Sequence, residues 1–95
     1  MDSSAPTLGD FSARVGRDFA IATDAGSVSL ALEAAEPLGA GERHGGAFEL
    51  LFRGPREPVL EQAVHRMEEG GDSFEIFIVP IAQDDAGTRY QAIFN

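Results

Sequence analysis

The side chains that could perform acid–base or metal chemistry are few and lie far apart along the chain. The sequence holds two histidines, His44 and His65. His44 follows Glu42 by two residues, which is not the ligand spacing of a zinc site, and His65 is interpreted as a histidine packed in a sheet. Asp84 and Asp85 supply too few oxygens for a calcium site and are interpreted as part of a turn. The sequence therefore predicts no metal and no cofactor.

Groups for nucleophilic catalysis are also missing from the sequence. The absence of cysteine excludes thiol catalysis, thiolate metal ligands and disulfides. All seven basic residues are arginine, so the N-terminus is the only amine available for Schiff-base chemistry. There is no G-x-S-x-G sequence and no glycine-rich phosphate loop that contains a lysine. We therefore expect a protein that is not an enzyme.

Two polar residues beside predicted strand ends are better candidates for an interaction than for catalysis. Arg53 ends a strand just before Gly54, and Gln62 lies near the start of a later segment. The simpler interpretation is that Arg53 pairs across the sheet with Glu49 or Glu75. Gln62 would then bond a loop backbone. We expect Gly54 to serve a turn geometry that other residues cannot adopt.

The charge of the chain limits its partners. The formal net charge is −9 and the pI is near 4.4. Nucleic acids and anionic membrane surfaces bind clusters of basic side chains, so we exclude them as partners. The acidity is interpreted as a source of solubility, and a cationic partner is the alternative. We expect no membrane insertion and a cytoplasmic location, because no apolar run approaches about twenty residues and no signal peptide is evident.

The length of 95 residues fits a single domain. We expect residues 1–6 to form a disordered tail and residues 7–95 to form one β domain. The segment 37–46 contains four glycines and one proline, which predicts a long loop. Such a loop is interpreted as mobile, and a functional role is the alternative.

A short helix is predicted near the start of the domain. Thr7 and Asp10 have the spacing of a capping box. Phe11 and Val15 then share one helical face, which predicts a helix over about residues 8–15 that packs on the sheet as a lid.

Alternating apolar and polar residues predict the strands. The strand-like runs cover residues 17–23, 28–36, 47–53, 73–80 and 88–95. Residues 83–87 read as the turn of a hairpin, and Tyr90 and Phe94 share one face of the final strand. Both faces of the 73–80 strand are apolar around Phe77, so we expect burial on both sides, core packing of Phe77, and an end at Pro80.

The segment 59–69 is ambiguous from its own residues. Its apolar positions fit a helical stripe, and its glutamates favour a helix. The alternative is a strand with Ala63, His65 and Met67 on one face.

Four sequence pieces, taken in order, resemble a small bacterial family of about a hundred residues with no assigned function. They are Phe48–Pro55, Leu60 with Gln62, Phe77–Pro80 and Arg89–Asn95. The family patterns are F-x-L-x-F-x-G-P, L-x-Q-x-x-Y, L-F-L-V-P-[IV]-G and R-Y-x-A-x-F-N. The resemblance implies that residues 59–69 form a strand, with His65 where relatives have tyrosine. Genes of the family are often neighbours of phage-tail-collar-like proteins, which implies a part in a tail-like or fibrous assembly.

The expected fold is mainly β: a small antiparallel barrel or strongly rolled sheet of about six strands, with one short N-terminal helix. The expected function is that of a non-enzymatic structural or assembly protein acting through contacts with a protein partner or with itself. The alternative is a small-molecule binding module with its ligand at the barrel mouth. The candidate interaction residues are Leu51, Arg53, Gln62, His65 and Tyr90. Leu51 is included because it faces outward and would need cover from the helix or from a partner.

Overall fold

The computed structural model describes residues 6–24, 26–38 and 47–94. These residues form one helix and six strands. They are α1 (Leu8–Ser12), β1 (Asp18–Thr23), β2 (Gly26–Pro37), β3 (Phe48–Gly54), β4 (Ala63–Glu69), β5 (Asp72–Asp84) and β6 (Gly87–Phe94). The expected disordered tail lies almost wholly outside the described residues, as do most of the predicted 37–46 loop and the Glu42–His44 pair. Where the described chain borders that loop, the Leu38 N–H donates to the Ala47 carbonyl.

The strands form a closed antiparallel barrel in the order β1-β2-β3-β6-β5-β4. The predicted mainly β fold with one short N-terminal helix is confirmed, and the barrel alternative is the correct one. Tight turns join β4 to β5 and β5 to β6, and β1 also pairs with β2, so these consecutive strands are antiparallel neighbours. The predicted hairpin turn is confirmed, because Asp84 pairs with Gly87 across a two-residue turn. Closure removes most of the exposed strand edges that an open sheet would carry.

The inward side chains of the six strands fill the barrel. Alternation in β3 is complete, with Phe48, Leu50 and Phe52 buried and the residues between them half-exposed. The predicted inner face of β6 is confirmed, because Tyr90 is fully buried and Phe94 packs against the core. Period-2 alternation and one interior therefore account for the core.

Helix α1 begins with the predicted capping box and closes one end of the barrel. The Thr7 N–H donates to Asp10 Oδ2 over 2.9 Å, and the Asp10 N–H donates to Thr7 Oγ1 over 3.3 Å. Phe11 is fully buried among the rings of four strand residues: Phe19, Phe48, Phe74 and Phe94. One aromatic side chain thus plugs this end of the interior.

The predicted extent of the helix is wrong at its C-terminal end. The helix ends at Ser12, and Val15 is 45% exposed instead of lying on the inner face. The cause is the docking of the next residues on β2. The Gly16 N–H donates to the Leu32 carbonyl, and the Leu32 N–H donates to the Arg17 carbonyl.

The segment between β3 and β4 covers the opposite end of the barrel. Leu60 is 6% exposed, and its N–H donates to the hydroxyl of Tyr90 over 2.9 Å. The segment that follows is a strand from Ala63, as the family resemblance implies, and the helical alternative for residues 59–69 is wrong. Met67 is buried, while Ala63 and His65 on the same face are only half-buried.

Strand β5 differs from its prediction in two ways. Phe77 is 49% exposed, so the expected burial on both sides is wrong. A closed barrel buries only the inner face of each strand, and nothing in the described chain lies over Phe77. The strand also continues past Pro80 to Asp84, because a bulge at Ile81 shifts the register between Pro80 and Ala82.

Glycine is required at position 54 for a different reason from the one predicted. Its φ is not positive, so it does not serve a turn. A Cβ at this position would overlap the side chain of Leu30, and the Gly54 carbonyl lies against Gly87. Glycine is therefore required at position 54 because the buried side chain of Leu30 occupies the space that a Cβ would take.

Candidate functional site

The barrel closes least completely between β1 and β4, a junction that we call the seam. β1 pairs with β2 along its whole length, from Asp18 to Thr23, and β4 pairs with β5 along its whole length. Within the described chain, β1 and β4 pair with each other at one position, Ala20 with Glu68. Beyond this pair, towards Ala63, the two strands form no ladder.

The side chains at the seam explain why the strands separate there. Met67 is fully buried near the end of β4, next to the residue that pairs with β1. Earlier in β4 the inward positions carry the small Ala63 and the polar His65, which are only half-buried. The outward Ala20 and Ala22 are too small to pack across to another strand. Little apolar area therefore draws this half of β4 onto β1.

The separated strands enclose a groove of about 470 Å³ in the side of the barrel. We call it the seam groove, and it is lined by Ala20, Ile21, Ala22, Ser27, Val64, His65, Arg66 and Glu68. Its volume is within the range of ligand and peptide pockets. His65 donates through Nε2 to the Glu61 carbonyl over 2.9 Å, so that nitrogen is already engaged. No described nucleophile or carboxylate is hydrogen-bonded to His65.

A row of exposed apolar side chains lies beside the seam groove on the outer surface. Val64, Phe77 and Ile93 are 60%, 49% and 50% exposed, and we call them the outer patch. Val64 is directly opposite Phe77 in the β4–β5 ladder. In the antiparallel β5–β6 ladder, Val79 is opposite Gln91. Two positions further along, Phe77 of β5 therefore lies at the level of Ile93 of β6. Val64 belongs to both the groove and the patch, so the two surfaces are continuous.

A group of ion pairs anchors the other end of β4. Arg14 Nε lies 2.6 Å from Glu69 Oε1, and Arg17 Nη1 lies 3.2 Å from Glu69 Oε2. Arg14 also pairs with Asp72 and lies over the ring of Phe74, 5.0 Å from its centroid. These contacts tie the segment after α1 to the β4–β5 hairpin.

The same arginines set the titration of Glu69. The hydrogen bond from Arg14 lowers the pKa of Glu69 below its ordinary value, and a hydrogen bond and charge from Arg17 act in the same direction. Burial of the carboxylate opposes them by raising the pKa. Glu69 is therefore held in its charged form, as expected for a structural ion pair.

Leu51 and Arg53 lie on the outer surface of β3, away from the seam. Leu51 is half-buried beside its ladder partners Ala34 and Gln91, and the expected cover by the helix is wrong because α1 closes the end of the barrel. Arg53 does not pair with Glu49 or Glu75. Its Nε lies 2.7 Å from Glu33 Oε2, an ion pair without the alignment of a hydrogen bond.

The partner of Arg53 follows from an irregularity in β2. The register between β2 and β3 shifts between Leu32 and Ala34, which places Glu33 in a bulge. Glu49 is engaged elsewhere, since it accepts a hydrogen bond from Gln91. A bulge redirects one side chain, and that redirection is not visible in a period-2 pattern.

The other three candidate residues lie in three different environments. Gln62 is exposed just before β4, and its predicted bond to a loop backbone is absent from the described part of the chain. His65 lines the seam groove. Tyr90 is fully buried, so it supports the segment at Leu60 from inside and cannot contact a partner. His65 is thus the one candidate residue that the fold places at the groove.

Sequence reasoning missed the outer patch and the alanines of the seam. Along their strands, Phe77 and Ile93 alternate with residues that were correctly predicted to be buried. A strict rule that each strand buries only one face would therefore have predicted both side chains to be exposed. No sequence signal identifies Ala20 and Ala22, because alanine is common on either face of a strand.

Two further features are absent from the described residues. No group of three or more His, Cys, Asp or Glu side chains among them is arranged to hold a metal ion. No helix in the described part is long and apolar enough to cross a membrane.

Comparison with known proteins identifies one family. A family model with the description "Domain of unknown function (DUF6916)" matches residues 6–94. No curated protein and no solved structure matches the chain.

Proposed function

We propose that this chain, which belongs to the DUF6916 family, is a non-enzymatic structural or assembly protein that acts through protein–protein contacts. The outer patch is the observation that carries the proposal. Three half-exposed apolar side chains on adjacent strands form a row that the described chain leaves uncovered. Single exposed apolar residues are ordinary, whereas a contiguous row is typical of an interface.

The kind of assembly is suggested by the family resemblance. The resemblance implies that genes of the family neighbour phage-tail-collar-like proteins, and on that basis we propose a role in forming or accompanying a tail-like or fibrous structure. A location in the cytoplasm before incorporation is consistent with this role. The proposal needs no cofactor and no reaction.

Light scattering after size exclusion tests this function. The protein is measured over a range of concentrations, alone and mixed with the product of the adjacent gene. We expect a discrete oligomer or a co-eluting complex. A 10.1 kDa monomer that ignores its neighbour at every concentration would overturn the proposal.

A matched pair of variants locates the contact. Ile93 and Ile81 are 50% and 49% exposed, but only Ile93 belongs to the outer patch. We expect Ile93→Ser to weaken association several-fold, because apolar burial is lost. Ile81→Ser also replaces an exposed isoleucine with serine, but at a position about 13 Å along β5 from Phe77. It is expected to leave association unchanged.

The alternative function, a small-molecule site at the barrel mouth, has weaker support. Phe11 fills one end of the barrel and Leu60 lies over the other, while the seam groove opens through the side. A thermal-shift screen tests this alternative, because a ligand at a hundred times its Kd adds about 2.7 kcal/mol of stability. No shift across a metabolite library would count against it.

A further inference from the structure

We propose that the seam groove binds an extended, positively charged segment of a partner protein, which pairs as an added strand with the edge of β4 ahead of Glu68. This inference rests on the proposed function and specifies how the partner is recognised. The relevant recognition mode is strand addition, in which main-chain hydrogen bonds supply affinity and alternate side chains supply specificity.

The backbone of β4 provides the edge for this pairing. The antiparallel register that aligns Ala20 with Glu68 would place Arg66 opposite Ala22 and Val64 beyond the end of β1. In the described chain no ladder joins these residues. The seam-facing backbone groups of Val64–Arg66 are therefore available to another strand, which a complete barrel would prevent.

The floor and sides of the groove suit an extended chain. On the β1 side the exposed residues Ala20, Ala22 and Ser27 are small, so a second backbone can approach closely. Ile21 is buried at the floor, and Val64 continues onto the outer patch. Alternate side chains of a bound strand would face the floor of the groove at Ile21 and the solvent.

Charge decides which occupant the groove accepts. A second copy of the chain would bring a net charge of −9 against −9, which opposes self-association at this surface. Arg66 in the groove already lies 3.8 Å from Glu68. The exposed carboxylates Asp24, after β1, and Glu61, before β4, lie at the open end of the seam, because antiparallel strands bring these ends together. A basic segment is therefore the complementary partner.

The first experiment titrates the isotope-labelled protein with a capped peptide, Lys-Thr-Val-Thr-Val-Thr-Lys, and follows its amide NMR signals. We expect saturable shifts at residues 20–22 and 63–68, slower amide exchange in β4, and weaker binding as salt is raised. A peptide with proline at its centre should bind at least about tenfold more weakly, since it lacks a backbone donor. A peptide with glutamate in place of lysine should not bind.

Three results would overturn the inference. They are no saturable shift at millimolar peptide, shifts centred away from the seam, or equal binding of the proline or glutamate peptides.

Two pairs of variants provide the controls. Ala22→Tyr fills the groove and is expected to abolish peptide binding, whereas Ala82→Tyr makes the same change at an exposed position of β5 and should not. Tyrosine is favoured in strands, so both variants should fold, and their melting temperatures check this. Equal binding by both tyrosine variants would contradict the proposed location.

The charge variants follow the same design. Asp24→Asn with Glu61→Gln is expected to weaken binding about threefold to tenfold, while Glu36→Gln with Asp85→Asn, the same loss of charge elsewhere, leaves it unchanged. An equal effect of both pairs would show that only net charge matters and would overturn the local site.

The outcomes for the groove and for the assembly function are separable. If no peptide binds but association still depends on Ile93, the groove inference fails and the assembly function stands. If peptides bind as expected but no association depends on Ile93, the assembly contact through the outer patch fails.

Discussion

The β3–β6 ladder and the β1–β4 seam are two antiparallel strand pairs of one barrel with very different degrees of closure. Every residue of β3 is paired, from Phe48 with Phe94 to Gly54 with Thr88. At the seam only Ala20 and Glu68 are paired in the described chain. The inward side chains of the two strand pairs also differ. β3 carries the large, buried Phe52, whereas β4 carries the polar, half-buried His65. Closure therefore depends locally on how much apolar volume lies behind each strand pair.

Truncating the inner side chains should give the largest difference between the two regions. Phe52→Ala is expected to destabilise the protein by about 3–5 kcal/mol, because it removes a buried ring and leaves a cavity. His65→Ala should cost about 1 kcal/mol or less, since the side chain is half-buried and makes one hydrogen bond. Urea unfolding measures both values. Equal costs would mean that the seam is as tightly packed as the ladder.

Hydrogen exchange should show the same contrast without any substitution. We expect amides of β3 and β6 to exchange only through global unfolding, and amides of residues 64–66 on the seam side to exchange at least roughly a hundredfold faster. Amide NMR in heavy water makes the measurement. Uniform protection across both regions would contradict a separated seam.

A glycine substitution tests the close packing of the ladder. Gly54→Ala is expected to cost about 1–3 kcal/mol, because the new methyl group would overlap Leu30. Gly9→Ala in α1 is the control, since its nearest neighbour would be Thr7 Oγ1 at 3.7 Å and alanine favours helix. Thermal unfolding compares them. A tolerated Gly54→Ala would show that the Leu30 side chain can move aside.

The smallest effect on stability is expected from the ion pairs of Glu69, and its change with pH should appear only under acidic conditions. Because the folded-state pKa of Glu69 is lowered, its contribution to stability is present above the unfolded-state value of about 4.5 and is lost as pH falls through the folded-state pKa. We expect the stability difference between the wild type and Glu69→Gln to shrink below about pH 4.5. Melting temperatures at pH 3–7 measure it. A difference independent of pH would contradict the assigned role of Arg14.

Much of the barrel could be predicted because its signals are local. Alternation placed Tyr90 and Phe94 inside, and the turn residues before Gly87 predicted the last hairpin. The strand at residues 63–69 was different, because its helical stripe was contradicted by the family resemblance and by the tertiary fold. Propensity is a weak prior where a segment must complete a closed sheet.

Little of the candidate site could be predicted, since it depends on distances between elements. Of the five candidate residues, only His65 lines the groove, while Tyr90 is in the core. The groove exists because β1 and β4 diverge, and β4 begins at Ala63, far along the chain from the end of β1 at Thr23. No local pattern records that divergence.

The sequence by itself determined the period-2 alternation, the capping box at Thr7, the lack of cysteine and lysine and the acidic net charge, because each depends on residue types and short spacings. Only the tertiary structure decided that Phe77 is exposed, that Arg53 pairs with Glu33, and that Gly54 leaves room for a neighbouring side chain. Each of these depends on barrel closure and on bulges, which set what lies across from a strand. The same closure, incomplete beyond the Ala20–Glu68 pair, created the groove in which we propose that a partner strand binds.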